Sequence, residues 1–84
     1  MHKPLPSLDS LYAFEAAARL GSFKQAATEL SVTATAVSHR IRALETQLGQ
    51  RLFVREVRTI RLTAEGEMLF AAVSSSLATI TNAV

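Results

Sequence analysis

Thr35, Ser38, His39 and Arg42 are spaced three, one and three residues apart, a spacing that gathers them into one stripe if the segment is an α-helix. The stripe carries hydroxyls, an imidazole and a guanidinium, and no bulky apolar side chain. Such groups hydrogen-bond base edges and phosphates, and their small size lets a helix backbone come close to a groove. Around them the charge is uneven. Between residues 40 and 61, Arg40, Arg42, Arg51, Arg55, Arg58 and Arg61 face only Glu45 and Glu56, whereas in residues 1–39 Lys3, Arg19 and Lys24 are balanced by Asp9, Glu15 and Glu29. A net charge of +2 says little by itself. Its concentration as arginine, whose planar fork matches phosphate and guanine, is the footprint of a polyanionic partner.

Other chemistries find little support. The seven carboxylates are scattered, and the two histidines are His2 and His39. Ser38 and His39 are neighbours, so on a helix their side chains diverge by about 100° and do not form a nucleophile and base pair. Two histidines without a cysteine make a poor metal site. The expectation is therefore a protein that is not an enzyme and needs no cofactor.

The elements that would hold the stripe can be read from caps and periodicity. Ser7 caps a first helix in which Leu8, Leu11, Phe14 and Ala18 recur, ending at Gly21. Ser22, followed three residues later by Gln25, opens a second, short helix with Phe23, Ala26, Ala27 and Leu30 on one side. Ser31-Val32-Thr33 is too short to be more than a turn, and Thr33 is placed to cap a third helix. From Ala34 onward Val37, Ile41, Leu44 and Leu48 repeat at intervals of four, three and four up to Gly49, which turns Thr35, His39, Arg42 and Thr46 outward and leaves Ser38 on the flank.

Two helices joined by this turn, with small Ala27 at their crossing and Val32 plugging the corner, predict a helix-turn-helix whose second helix enters a major groove. Leu52-Phe53-Val54-Arg55 and Ile60-Arg61-Leu62 then predict a two-stranded hairpin, from which Arg55, Arg58 and Arg61 could straddle the backbone or enter a minor groove. Thr63 caps a last helix with Glu65 and Glu67 in its first turn. Within it Phe70, Val73, Leu77, Ile80 and Val84 repeat every three and four residues, which predicts a homodimer seam.

Eighty-four residues make one small domain with a marginal core, which favours an oligomer. The absence of cysteine removes disulfides and points to a reducing, cytoplasmic address. Met1 to Pro6 has no apolar run of a signal peptide behind Lys3. The uncharged stretch Met68 to Val84 is interrupted by Ser74-Ser75-Ser76, Thr79, Thr81 and Asn82, and falls short of the roughly 20 apolar positions that cross a bilayer.

The chain resembles the DNA-binding domain of LysR-type transcriptional regulators. The resemblance runs nearly end to end. It is carried by Phe14-Glu15-Ala16, Gly21-Ser22-Phe23, Ala26-Ala27, Leu30, Val32-Thr33, Ala36-Val37-Ser38-His39, Ile41-Arg42, Leu44-Glu45, Leu48-Gly49, Leu52-Phe53, Arg55, Arg58 and Leu62-Thr63 with Gly66. It implies a mainly α, winged helix-turn-helix domain over residues 1–63 and a linker and dimerisation helix over 64–84. It also implies that Thr33, Ala34, Thr35, Ser38 and His39 face double-stranded DNA, that Ser22 and Arg42 contact phosphate, and that Arg58 is the wing arginine directed to the minor groove. The operator would be roughly palindromic.

Two departures stand out. Ala34 occupies a position often held by glutamine, leaving only a methyl contact, for example to thymine. Val57 stands at the wing tip where glycine or asparagine is frequent, and a β-branched residue resists positive φ. The family continues into an effector-binding domain, so the chain is expected to be a fragment that meets a small-molecule effector only through that domain. The competing readings are a protein-interaction or dimerisation module, in which the last helix is the working surface, and the similar winged-helix domain of ModE regulators.

Overall fold

Small hydroxyl side chains start every helix among the described residues. In the computed structural model, which describes residues 5–84 and so leaves His2 and Lys3 outside, the order is α1 (Leu8–Leu20), α2 (Phe23–Leu30), α3 (Ala34–Leu48), β1 (Phe53–Arg55), β2 (Ile60–Leu62) and α4 (Ala64–Ala83). Ser7, Ser22, Thr33 and Thr63 are the four N-caps; each side-chain oxygen accepts the backbone N–H three residues on, from Ser10, Gln25, Ala36 and Gly66. Each cap satisfies one of the donors that a helix start leaves open. Gly21 and Gly49 end α1 and α3 at φ 66° and 68°, a left-handed conformation that glycine adopts without steric cost. Ser31 does the same after α2 at φ 59°, and it is the one non-glycine residue with positive φ among those described.

The first three helices and Leu52, just before β1, enclose a core whose largest fully buried side chains are Phe14, Ile41, Leu44, Leu52 and Val37. Where the helices cross, the buried residues are small: Ala13, Ala16 and Ala17 on α1, Ala26 and Ala27 on α2. Small side chains let the axes approach, so that Val37 and Ile41 of α3 reach the interior. Val32, half-buried in the turn, packs against this core, and its N–H donates to the Ala27 carbonyl at 3.0 Å. Each large side chain removed from water contributes roughly 1.5–3 kcal/mol, set against the chain entropy lost on folding.

The hairpin is antiparallel, with Phe53 opposite Leu62, Val54 opposite Arg61 and Arg55 opposite Ile60. Its turn is closed by the Glu56 N–H donating to the Thr59 carbonyl at 2.8 Å. No residue of that turn has positive φ, so Val57 fits there without strain, its side chain fully in solvent.

Hairpin and α4 meet at a tight junction. The Thr63 N–H donates to the Leu52 carbonyl at 3.0 Å, and the Thr63 hydroxyl donates to the Arg51 carbonyl at 2.7 Å while accepting the Gly66 N–H. A β-carbon on Gly66 would fall 2.2 Å from the Leu52 carbonyl oxygen and 2.9 Å from Leu62 Cδ2. Only glycine allows α4 to lie this close to the strand.

Three expectations about packing need correction. Leu8 and Leu48, read as inward members of their helices, are exposed; they sit at the first position of α1 and the last of α3, where the helices overhang the core. The presumed dimer seam of α4 is divided. Val73 and Leu77 are only 6% and 8% exposed within the single chain, and Phe70 packs edge-on to Phe14 with ring centroids 6.5 Å apart, while Ile80 and Val84 face solvent. Residues 64–84 thus supply part of the domain's own core, the apolar mass that a three-helix unit of this size lacks. Tyr12, Glu15, Arg19 and Glu29 lie on the opposite flank, where Arg19 joins α1 to α2 by hydrogen bonds to both carboxylates.

Candidate nucleic-acid interface

The outward side of α3 is the surface expected from its periodicity. Thr33, Ala34, Thr35, His39, Arg42 and Thr46 are exposed, and Ser38 is half-buried on the flank. Thr33 does two things at once: its oxygen accepts the Ala36 N–H at 3.0 Å, and its O–H remains available. Ala34 is the first helical residue and offers only its methyl group and its backbone N–H.

The helix starts differ in charge. Asp9 stands in the first turn of α1, and Glu65 and Glu67 in that of α4, where carboxylates are favoured by the helix dipole. The first turns of α2 and α3 contain no acidic residue. Those two N-termini, capped by Ser22 and Thr33, therefore keep their partial positive charge, the environment in which phosphate oxygens are stabilised.

The six arginines between residues 40 and 61 do not act together. Arg61 Nε pairs with Glu56 at 3.2 Å, and Arg51 Nε lies 3.7 Å from Glu45. Arg55 turns back onto the protein: its Nη2 donates to Ser38 Oγ at 3.2 Å, and its guanidinium carbon lies 4.9 Å from the centroid of the Phe23 ring. Among the described residues, the exposed side chains of Arg42 and Arg58 make no hydrogen bond or ion pair, and that of half-buried Arg40 likewise makes none. The uniform arginine footprint read from the sequence therefore resolves into two paired residues, one fixed by α3 and Phe23, and three without partners.

Two open grooves flank Arg55. One, of about 500 Å³, runs between α3 and β1 and is bordered by Arg42, Thr46 and Phe53. The other, of about 230 Å³, is bordered by Ser22, Arg58 and Ile60. Arg55 borders both, so Arg42 lies to one side of it and Arg58 to the other. Ser22 is brought to the wing side of this surface, with its oxygen already accepting the Gln25 N–H at 3.1 Å. Thr59 reaches the same corner through a long 3.4 Å bond from its hydroxyl to the Gly21 carbonyl.

Two roles were not read from the sequence. Glu45 counted only as opposing charge, yet its Oε2 accepts the Leu52 N–H at 2.8 Å and so holds the entry to β1. The available signal was its place beside Leu44, where a carboxylate on the edge of an apolar seam needs a partner. Phe23 counted only as core, yet its ring also carries Arg55. Among the described residues no group of three or more His, Cys, Asp or Glu side chains is placed to hold a metal ion, and no helix is long and apolar enough to cross a membrane.

This arrangement has counterparts. Residues 8–67 match the family described as bacterial regulatory helix-turn-helix protein, lysR family. The HTH-type transcriptional regulator DsdC of Escherichia coli (strain K12) is 51% identical over 73 residues, covering 87% of this chain and 24% of that protein. The glycine cleavage system transcriptional activator of the same strain is 47% identical over 83 residues, covering 99% of this chain and 27% of that protein. The chain thus spans about a quarter of the length of these relatives. Among solved structures, the BenM DBD in complex with catB site 1 DNA is similar with a TM-score of 0.86 and 29% identity, over 90% of this chain and 84% of that one. The CbnR DBD in complex with DNA gives a TM-score of 0.84 and 30% identity, over 92% of this chain and 88% of that one.

Proposed function

The chain belongs to the LysR family of bacterial helix-turn-helix regulators, and from that premise we propose that it reads double-stranded DNA with the outward stripe of α3 in the major groove and the hairpin at the minor groove. The observation that carries this reading is the pair of unpartnered, exposed arginines, Arg42 and Arg58, on either side of Arg55. Arginines without protein partners are available to phosphate or guanine, and the acid-free starts of α2 and α3 leave Ser22 and Thr33 where phosphates are favoured. Thr35, Ser38 and His39 present the groups that can touch base edges, with Ala34 limited to a methyl contact.

The reading is tested by equilibrium binding to a duplex selected from a random library, titrated against salt. Affinity falls steeply with salt if phosphates are neutralised, by a slope of about 0.9 per contact. A flat response overturns the proposal.

The DNA reader acts as a homodimer in this proposal. Support comes from an apolar groove of about 510 Å³ beside α4, bordered by Leu8, Leu48, Leu69, Val73, Leu77 and Ile80. The seam in this proposal is Ile80 and Val84 together with the overhanging Leu8 and Leu48; Val73 and Leu77 border the groove from the core side, while Phe70 packs on Phe14 instead. Two α3 helices would then address half-sites about one helical turn, or a multiple, apart on a roughly palindromic site. Ile80→Glu should leave the fold intact and give monomers by sedimentation; unchanged dimers would remove this surface from the interface. The regulation of transcription, the small-molecule effector and the cytoplasmic address are likewise proposals that follow from family membership.

A further inference from the structure

Arg55 is an unusual arginine for a surface that recognises a polyanion, because its side chain is already committed. It closes β1, stacks its guanidinium over Phe23 at 4.9 Å and donates from Nη2 to Ser38 on α3 at 3.2 Å. Phe23 is itself held: its ring meets Phe53 edge-on at 5.5 Å, and Phe53 meets the fully buried Phe14 at 5.5 Å. The guanidinium therefore rests on a base of packed aromatic rings that extends into the core.

The hairpin needs such a tie. Its strands are three residues each, and a two-stranded ribbon is marginal without outside support. Glu45 secures its entry and Gly66 its exit, both at the C-terminal end of α3 or beyond. Toward the N-terminal half of α3, where the reading stripe lies, the Arg55 bond to Ser38 is the one hydrogen bond from either strand among the described residues.

We propose that Arg55 is a positioning residue for DNA recognition rather than a phosphate contact: it latches the hairpin to α3, fixes the separation of Arg42 and Arg58, and orients Ser38 so that its hydroxyl meets DNA as a hydrogen-bond donor. The proposal rests on the DNA-binding reading given above. It follows from the chemistry of the two partners. A planar guanidinium can offer a face to a ring and an N–H to a hydroxyl at the same time, which a lysine ammonium does not do in that geometry. A serine oxygen that accepts from a cation keeps its own O–H for an outside acceptor, such as N7 or O6 of guanine or N7 of adenine.

The experiment compares Arg55→Lys, Ser38→Ala and Phe23→Leu, alone and combined with Arg58→Ala, in binding to the duplex that the unaltered chain selects from a random library. Circular dichroism melts are recorded for each variant. A latch predicts that Arg55→Lys, which keeps the charge, weakens binding about tenfold with the salt slope unchanged, and that Arg58→Ala costs clearly less in that background than alone. Phe23→Leu, which keeps the apolar contact but loses the ring face, should weaken binding in the same direction with a similar coupling to Arg58.

A phosphate contact predicts the opposite: Arg55→Lys binds like the unaltered chain, and Arg55→Ala lowers the salt slope by about one contact. Either of those results, or strict additivity with Arg58→Ala, overturns the latch. If Arg55→Lys lowers the melting temperature, Ser38→Ala decides, since it removes the bond and no charge. Additivity of Ser38→Ala with Arg58→Ala is then the overturning result. A failure of the DNA reading itself is seen separately, in the unaltered chain selecting no duplex and showing no salt dependence; the latch then falls with it.

Discussion

The two longest helices begin alike and end in different service. α3 and α4 both start with a threonine that accepts the N–H three residues on. After that start, α3 keeps carboxylates out of its first turn and buries only Val37, Ile41 and Leu44, leaving a polar stripe to solvent. α4 places Glu65 and Glu67 in its first turn, carries no charge after them, and buries Gly66, Val73 and Leu77 in its own domain. A phosphate approaching the start of α3 meets open N–H groups, whereas at α4 it meets carboxylates. The same capping chemistry thus yields a binding terminus or a sealed one, according to whether acidic residues occupy the first turn.

The largest test of this contrast lies in α4. Leu77→Ala should cost the isolated chain about 2–5 kcal/mol in chemical denaturation, the range for a truncated core leucine, whereas Ile80→Ala should cost far less because Ile80 is half exposed. Equal costs would show that α4 is not divided between core and surface. On α3 and the wing, Arg42→Ala and Arg58→Ala should each weaken binding to the selected duplex by about tenfold and lower the salt slope by about one contact, with melting temperatures unchanged. A loss of stability in either variant would mean that the arginine has a protein partner after all.

A smaller effect separates the two caps. Thr33→Ala and Thr63→Ala should each destabilise by about 1 kcal/mol, but only the first should also weaken DNA binding. The smallest effect concerns the flank where α1 and α2 border α4. The hydrogen bond from Arg19 holds the Glu29 carboxyl below its ordinary range, and the bonds to Glu15 first and Glu29 second raise the guanidinium. A depressed carboxyl stabilises the fold above its unfolded pKa and loses that contribution as pH falls through the folded value. Glu29→Gln should therefore make thermal stability slightly less sensitive to acid, as followed by melts from neutral pH downward; an unchanged acid limb would show that the exposed pair contributes nothing.

Much of this fold was legible because caps and stops are local chemistry. Ser7, Ser22, Thr33 and Thr63 cap the helices that their positions announced, Gly21 and Gly49 end two of them, and the hairpin falls within Leu52 to Leu62. What the residues did not disclose depends on partners far along the chain. The bond between Arg55 and Ser38 spans 17 positions, and nothing at either residue distinguishes a latch from a DNA contact. The heptad-like stripe of α4 fixes which residues share a face but not whose core that face meets, so Val73 and Leu77 could be assigned to a partner as easily as to their own domain. Leu8 and Leu48 obey helical periodicity but lie at helix ends, where periodicity no longer implies burial.

The junction at Gly66 has a mechanical consequence. Backbone contact with Leu52 holds the start of α4 against the hairpin, while its 20 residues extend the helix about 30 Å. Phe70, Val73 and Leu77 seat the helix on the core further along, so it is anchored at the hairpin and again over its middle, and only the stretch after Leu77 overhangs, about 9 Å of helix up to Ala83. The glycine thus sets the line along which that tip projects.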